Sequence, residues 1–256
     1  MEKPPFRLRW PHYLLAALVY LTLLLAWAPA SLLAWALPRF TQQAVWLDQA
    51  EGSVWRGQAA GVRVQSATAP ELQLGRLAWQ LRPLDLFAGR LAYRLQLDGT
   101  DIDAAGVLRA GTRGSELLEL RVELPARMLG QVSSDLDVWQ PGGRLLFESA
   151  ELAFKGEQIE GQATLRWLDA VSGRVRPVLG NYRADLEGAE NGFNIKLTTE
   201  RGALQLQGSG IWNPQRGMMF IGMARPEPAS RLELDGLLSL IGPSLPDGSR
   251  AIRISQ

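Results

Sequence analysis

Few side chains in this sequence could carry out acid–base, nucleophilic or metal chemistry. Its only histidine is His12, and it contains no cysteine. A Ser-His-Asp triad, a Cys-His pair and a histidine-ligated zinc site each require one of these residues. There is no P-loop, and Gly208-Ser209-Gly210 is too short to count as a dinucleotide-binding fingerprint. The sequence therefore predicts a protein that is not an enzyme and that needs no cofactor and no metal.

Two pairs of aspartates remain as candidates for carboxylate catalysis or for binding a hard cation. They are Asp101 with Asp103 and Asp135 with Asp137. The members of each pair are two residues apart, so on a strand both carboxylates would lie on one face. A solvated strand or turn surface is the more common role of such a pair, and it is the interpretation that we adopt.

The sequence also contains nine tryptophans, an unusual supply of large aromatic rings. They could line a groove for a lipid or for an exported polypeptide. More often such side chains belong to the hydrophobic core, and we expect this role for those that fall in or beside predicted strands: Trp55, Trp79, Trp139, Trp167 and Trp212.

Strands are the elements that must position these side chains. In Leu91–Asp98 the large apolar residues are all odd-numbered and the polar residues even-numbered, which is the period of a half-buried strand. The same alternation predicts strands around residues 118–124, 163–167, 182–186 and 193–197. Turn-forming pairs separate these segments and predict an antiparallel meander: Asp98-Gly99, Pro141-Gly142-Gly143, Glu187-Gly188, Asn191-Gly192 and Arg201-Gly202.

Helical patterns are short and few after residue 38. Residues 234–241 follow the 3.6-residue period, and Gly242-Pro243 supplies a stop. Residues 83–88 and 125–130 each begin with proline and are predicted to form single turns between strands. Around Gly75-Arg76 the apolar positions change parity, which suggests a β-bulge. The predicted fold class is mostly β: an extended antiparallel sheet with short helices.

A weak internal duplication predicts two similar β units in one extended sheet. Residues 77–81 and 93–99 resemble residues 165–168 and 182–188, because each copy has a strand with tryptophan followed by a Tyr-Arg strand that ends in an acidic residue and glycine. The boundary between the two units would lie near residues 140–143.

One uncharged run, residues 13–37, is predicted to be a transmembrane helix. Lys3, Arg7 and Arg9 precede it, and such basic flanks stay on the cytoplasmic side. The prediction is therefore a cytoplasmic N-terminus at residues 1–12, a single inner-membrane span, and a periplasmic domain at residues 38–256. The alternative is a cleaved signal peptide, since Ala28-Pro29-Ala30 and Ala34-Trp35-Ala36 both look like cleavage sites.

The charge balance of the exported part argues against a nucleic-acid partner. Removing the first 37 residues takes away three of the 27 basic residues and one of the 26 acidic residues, which leaves a net charge of −1. Proteins that bind nucleic acids usually carry a surplus of lysine and arginine to neutralise phosphates.

Several segments together resemble the type II secretion system protein N family, also called general secretion pathway protein N. They are residues 52–59, 77–84, 179–182, 204–208, 237–242 and 247–249. The motif positions within and beside them, which we expect to be structural, are Gly52, Trp55, Gly57, Trp79, Pro83, Gly89, Gly180, Tyr182, Gly208, Gly242 and Gly248.

The resemblance implies an accessory inner-membrane component of the type II secretion system. Such a protein would support export of folded proteins across the outer membrane, with other inner-membrane and periplasmic components of the machine as its partners. Some motifs are also similar to those of AsmA-like envelope proteins, whose β-grooves are associated with lipid. Binding or transfer of lipid is therefore the alternative function. Neither resemblance implies a catalytic, cofactor-binding or metal-binding residue.

Overall fold

The computed structural model describes residues 10–65, 71–112, 114–132, 139–175 and 178–255. In these residues the fold is mostly β. A single antiparallel sheet of fourteen strands makes up most of the chain, and a few short helices accompany it. The predicted β-rich class and the large antiparallel sheet are confirmed.

The strands follow one another along the sheet almost entirely in sequence order. Only β3 lies off the main path, where it pairs with β2. The strands are β1 Val45–Gly52, β2 Arg56–Val64, β3 Leu72–Leu74, β4 Arg76–Leu81, β5 Leu91–Asp98, β6 Asp103–Gly111, β7 Gly114–Pro125, β8 Pro141–Lys155, β9 Gln158–Ser172, β10 Gly180–Ala189, β11 Gly192–Arg201, β12 Leu204–Asn213, β13 Gly217–Pro226 and β14 Arg250–Ser255.

The helices lie before the sheet and in its connections. They are α1 Trp10–Ala26, α2 Ser31–Phe40, α3 Pro83–Phe87, α4 Leu129–Val132 and α5 Arg231–Ile241, with 3-10 turns at Ala126–Met128 and Pro228–Ser230. The helical segment around residues 234–241 is therefore confirmed, as are the two short turns that begin with proline.

The apolar run near the N-terminus forms two helices with a break between them. Helix α1 ends at Ala26, and α2 begins at Ser31. Pro29 lies in the break and forms an isolated bridge with Ser53. Within the described residues, no helix combines the length and the apolar character needed to cross a membrane.

All five strands predicted from alternation are present, but two predicted turns are wrong. Gly188 lies inside β10, where a Cβ atom would come within 2.4 Å of the Ile159 carbonyl oxygen. Glycine is needed at residue 188 because the neighbouring strand approaches closely, and not because the chain turns there. Pro141-Gly142-Gly143 opens β8, and the register of β8 with β9 shifts between Gly142 and Arg144. A glycine with φ of 95° at residue 143 fits that bulge.

The predicted bulge at Gly75-Arg76 is also wrong. Val62 pairs with Leu74 and Ala59 pairs with Leu77, so the register of this strand with β2 is the same on both sides of Gly75. In both strands the buried positions switch between odd-numbered and even-numbered residues, and the two switches lie opposite each other. A bulge would instead add a residue to one strand only.

Two hydrophobic cores lie at opposite ends of the strand order. The N-terminal core forms where α2 packs on β1 and its neighbours, and its buried members are Ala30, Leu47, Ala59, Val62, Trp79 and Leu97. The C-terminal core forms under α5, and its buried members are Ala170, Leu179, Tyr182, Leu204, Ala224, Leu234, Leu237 and Leu238. Each core is a helix laid on one end of a shared sheet.

The sheet runs without interruption past residues 140–143. Strand β8 begins at Pro141 and pairs with β7 on one side and with β9 on the other. The two halves of the chain therefore share backbone hydrogen bonds at this point.

Candidate interaction surfaces

A row of apolar residues crosses twelve of the strands without a polar side chain. Directly paired residues of antiparallel strands project from the same face of the sheet, so the pairings define the row. From β2 to β14 its members are Ala59, Leu77, Leu97, Ala104, Val122, Phe147, Leu165, Ala184, Leu197, Gly208, Gly222 and Ile252. We call this set the apolar row.

Both ends of the apolar row are covered, and its middle is not. Its first four members belong to the N-terminal core, and Leu197 and Ile252 pack on the C-terminal core. Among the described residues, the four members on β7–β10 belong to neither core and remain half-buried. These four, Val122, Phe147, Leu165 and Ala184, form what we call the open section.

Glycines near the end of the apolar row make room for an aromatic ring. Gly208 pairs with Gly222, and a Cβ atom at Gly208 would lie 2.6 Å from the Phe220 ring. At Gly222 the corresponding distance is 2.9 Å. The Phe220 side chain is only 4 % exposed, so the ring fills the space that the absent side chains leave.

The N-terminal motif positions gather around Trp79. Its indole Nε1 donates a hydrogen bond to the Ser53 carbonyl at 3.0 Å, and the side chain is 4 % exposed. A Cβ atom at Gly57 would lie 2.6 Å from the Trp79 ring, and Gly52 has a φ of 91° at the end of β1. Only glycine suits both positions. Trp55 is half-buried beside this cluster.

Pro83 and Gly89 bound the short helix α3. Pro83 occupies the first turn, where its missing N–H costs nothing. Gly89 follows the helix with a φ of 69°, and a Cβ atom there would meet open space. Glycine is thus required at residue 89 by the backbone conformation and not by packing.

The first C-terminal motif positions, Gly180 and Tyr182, lie at the start of β10. The Tyr182 hydroxyl donates to the Leu204 carbonyl at 2.8 Å, and its ring packs against Trp167 with centroids 5.9 Å apart. Burial raises the pKa of Tyr182 well above its usual value. Gly180 has a φ of 147°, with the Arg201 carbonyl oxygen 2.3 Å from where a Cβ atom would be.

The remaining motif positions stabilise the connection from α5 to β14. Gly242 ends α5, where a Cβ atom would lie 2.2 Å from the Ala251 carbonyl oxygen. Gly248 has a φ of 80° in the turn before β14. In that turn Asp247 accepts hydrogen bonds from the Ser249 hydroxyl at 2.5 Å and from Arg225 at 2.6 Å. These bonds lower the pKa of Asp247 to about 2.

Comparison with known proteins gives one match. A sequence model of the type II secretion system (T2SS) protein N family matches residues 43–253. The chain belongs to this family. Neither the curated proteins nor the solved structures gave a significant match. The matched range begins just before β1 and ends within β14, so it contains the C-terminal core, the strands of the N-terminal core and the whole apolar row, but not α2.

The predicted tryptophans take different places in this T2SS protein N fold. Trp79 is a core residue, while Trp139 and Trp167 are half-buried against the C-terminal core. The indole Nε1 of Trp167 donates to the Gly142 carbonyl at 2.8 Å, a bond of the same kind as that of Trp79. Trp212 is different, because it is 39 % exposed and stacks on Phe193 with centroids 6.1 Å apart.

The carboxylate candidates form no catalytic arrangement in the described residues. Asp101 is paired with Arg127 on the surface, and Asp103 is an exposed residue that opens β6 opposite Asp98. Asp135 and Asp137 lie outside the described residues. The described residues contain no group of three or more histidine, cysteine, aspartate or glutamate residues that could hold a metal ion.

One concave surface near the C-terminal core is polar. A recess of about 600 Å³ lies over β11, β12 and β13, and its lining includes Glu200, Arg201 and Arg225. Two of these charges have partners, since Arg166 binds Glu200 at 3.1 Å and Arg225 binds Asp247 at 2.6 Å. Glu200 and Arg225 are therefore already paired within the protein.

The apolar row was not predicted from the sequence. Its signal was present as alternating leucines in each strand, but the register that joins one strand to the next could not be read from the same pattern. A one-residue slip would move a whole strand's apolar set to the other face. The continuity of the row emerges only from the pairings.

Proposed function

We propose that this chain is an accessory inner-membrane component of the type II secretion system, and that it supports export of folded proteins across the outer membrane. Its domain would lie in the periplasm and act by contacts with other inner-membrane and periplasmic components. Membership of the protein N family supports a role in this machine. The observation that carries the membrane role is the exposed apolar surface of α1.

Helix α1 presents apolar side chains to its surroundings all the way round. The large apolar side chains of α1 whose burial is described are between 51 and 77 % exposed, among them Tyr13, Leu18 and Leu24. A water-facing helix would carry polar residues on at least one face. The 17 residues rise about 25 Å at 1.5 Å per residue, which is less than a hydrocarbon core about 30 Å thick. The proposed attachment therefore rests on the exposed apolar surface of α1 and on the basic residues before it, and not on the length of the helix.

The direction of insertion follows from the basic residues before α1 and from the packing of α2 on the sheet. Lys3, Arg7 and Arg9 precede α1 and favour a cytoplasmic N-terminus. Helix α2 packs on β1 through Leu33, Ala34 and Leu37 and so belongs with the sheet. In this proposal the chain enters the bilayer at α1 and reaches the periplasm at the break before α2.

The domain works by binding in this proposal, through a sheet edge or through the open section. Strand β14 ends the strand order and pairs with β13, while residues 243–244 cover its outer edge only at its start, at Arg250 and Ala251, among the described residues. The backbone of an edge strand can pair with an extended segment of a partner. Membrane attachment raises the effective concentration of such a partner, so a contact of about micromolar strength would suffice.

Labelling of single cysteines tests the topology, because the natural chain has none. Gln215→Cys lies in the exposed turn between β12 and β13, and Glu2→Cys precedes the basic flank. In intact cells a maleimide that cannot cross the inner membrane should label residue 215 and not residue 2. The reverse pattern, or recovery of the protein in a soluble fraction, would contradict the proposal.

A second candidate function is binding or transfer of lipid, and the apolar row is the observation that favours it. Acyl chains need a continuous apolar surface, and the half-buried side chains of the open section provide one between the two covered ends. The row starts at the N-terminal core, beside the helix that we place next to the membrane.

Lipid that co-purifies with the full chain can be measured by mass spectrometry. Leu165→Gln places a polar group in the open section, and Leu232→Gln changes a leucine that is 93 % exposed on α5. If the open section holds lipid, the first variant should lose bound lipid and the second should keep it, at equal melting temperatures. Equal lipid content in both variants would contradict lipid binding by the open section and would leave the binding of protein partners as the proposed function.

A further inference from the structure

Helix α3 carries the most exposed apolar side chains of the sheet connections near the N-terminal core. Phe87 is 91 % exposed and Leu84 is 79 % exposed, and Leu86 beside them is 44 % exposed. Burial of such side chains on a membrane or a partner is favourable because it removes apolar area from water. A cluster of three in a five-residue helix is a patch and not the scattered exposure that ordinary surfaces show.

This patch lies at the same end of the sheet as the exit of α1. The Val54 N–H donates to the Ala28 carbonyl at 2.9 Å, which fixes the break after α1 to the β1–β2 hairpin. The next residue, Trp55, accepts from the Leu81 N–H at 2.7 Å, and α3 begins two residues later. Since neighbouring strands are about 4.8 Å apart, the exit of α1 and the start of α3 lie on the order of 10 Å apart.

Ionic contacts hold α3 in place and keep its apolar residues outward. Asp85 forms an ion pair with Arg82 at 3.2 Å and another with Arg109 on β6 at 3.2 Å. Arg109 also binds Glu116 on β7 at 2.9 Å. The polar side of α3 is thus tied to two strands of the sheet, while Leu84 and Phe87 are left without cover. A fixed protrusion of this kind needs little ordering when it binds.

We propose that α3 inserts into the interface of the membrane that α1 enters, as a second contact that sets the tilt of the domain on the bilayer. The inference rests on the proposed membrane attachment through α1. Its occupant is the headgroup and upper acyl region of the lipid, because the patch is apolar and two arginines flank it. Arg82 and Arg90 are paired with Asp85 and Glu116, but their side chains stay 39 % and 48 % exposed, which leaves part of each open to a lipid phosphate. The link to the exit of α1 makes lipid the surface nearest to the patch.

Fluorescence quenching in vesicles tests this contact with the full chain. Phe87→Cys is labelled with an environment-sensitive fluorophore, and the absence of natural cysteines makes the label specific. Leu232→Cys is the matched control, because this leucine is 93 % exposed but lies in the connection at the opposite end of the strands. Leu18→Cys in α1 reports on the attachment itself.

The expected result is a graded pattern of quenching by lipids with a nitroxide near the headgroup. The label at residue 87 should lose about half of its emission, since interfacial helices sit about 5–10 Å into the boundary. The label at residue 18 should be quenched by a nitroxide placed deeper in the acyl chain, and the label at residue 232 by neither.

Each other outcome has a separate meaning. Quenching at residue 18 without quenching at residue 87 would overturn the contact of α3 and leave the membrane attachment intact. No quenching at residue 18 would overturn the attachment. Equal quenching at residues 87 and 232 would show unspecific adsorption and overturn the inference. A label at residue 87 that is unquenched in vesicles but shielded in native membranes would assign the patch to a protein partner instead.

Discussion

The Tyr182 hydroxyl donates a hydrogen bond to the backbone carbonyl of Leu204, 2.8 Å away and on the far side of β11. Both residues are 2 % exposed, so water cannot replace either group in this bond. The bond joins β10 to the start of β12 beneath α5. It therefore ties the C-terminal core together across a strand that lies between its two partners.

Removing this hydroxyl should destabilise the domain. Tyr182→Phe leaves the Leu204 carbonyl buried without its partner, which costs about 1–3 kcal/mol. Tyr93→Phe is the matched control, because Tyr93 occupies the corresponding place in the predicted duplication and its hydroxyl has no hydrogen-bond partner in the described part of the chain. Urea unfolding should show a lower midpoint for the first variant only. Equal midpoints would mean that the bond adds nothing.

The packing of α5 can be tested with two leucines on the same helix. Leu237 is 1 % exposed in the C-terminal core, and Leu232 is 93 % exposed. Leu237→Ala should lower the free energy of unfolding by about 2–5 kcal/mol through lost contacts and a cavity. Leu232→Ala should change it by less than about 0.5 kcal/mol. A small effect at residue 237 would show that α5 is not a covering helix of the core.

Two glycines with opposite surroundings give a second matched pair. A Cβ atom at Gly208 would lie 2.6 Å from both the Phe220 ring and the Ile221 carbonyl oxygen, whereas one at Gly236 in α5 would meet nothing within 4 Å. Gly208→Ala should cost about 1–3 kcal/mol of stability through overpacking. Gly236→Ala should stabilise by about 0.5–1 kcal/mol through helix propensity. Melting temperatures that shift in the same direction would contradict this account of the apolar row.

Alternation predicted the strands because each strand has one half-buried face, and this is a property of the strand alone. What it could not predict depends on distant parts of the chain. The register of β6 with β7 shifts between Ala105 and Val107, where Glu119 adopts a φ of 51°. No turn or glycine at Glu119 signals this change. The apolar row crosses these two strands beside the shift, at the Ala104–Val122 pair, where packing on the shared face selects the register.

For the same reason, the sequence predicted some features of the candidate surfaces and not others. The tryptophan and glycine motifs were visible in the sequence. In the structure most of them lie in two groups, one near each core. The uncharged run was predicted to be one helix, whereas the break between α1 and α2 occurs at Pro29. The hydrogen bonds that fix this break to residues 52–54 join segments more than twenty residues apart, so no local pattern could predict them.

Acid should weaken the turn before β14. The folded pKa of Asp247 is lowered to about 2 by Ser249 and Arg225, from an ordinary value of 3.8. A lowered pKa means that the carboxylate stabilises the fold above about pH 4, and that this contribution is lost as the pH falls toward 2. Asp247→Asn should therefore melt below the natural protein at pH 7, with a gap that narrows between pH 4 and pH 2.

The control for this titration is another aspartate near the same turn. Asp235 on α5 has a side chain that is 75 % exposed and lies 3.9 Å from Arg250. Asp235→Asn should melt within about a degree of the natural protein at pH 7, because exposed ion pairs contribute little. A gap for Asp247→Asn that stays constant from pH 7 to pH 2 would show that its carboxylate is not the stabilising group.

The aspartate pairs should be dispensable for secretion. Asp101 and Asp103 are surface residues, and the ion pair of Asp101 with Arg127 is exposed, so its loss should cost no more than about 1 kcal/mol. Changing Asp101, Asp103, Asp135 and Asp137 together to asparagine should leave secretion by the assembled machine unchanged, because in the proposed function the domain acts by binding and not by carboxylate chemistry. Replacing residues 1–27 with a cleavable signal should reduce secretion instead, since it removes α1 while the sheet is still exported. Secretion that collapses in the asparagine variant, at normal protein abundance and melting temperature, would reveal a carboxylate site.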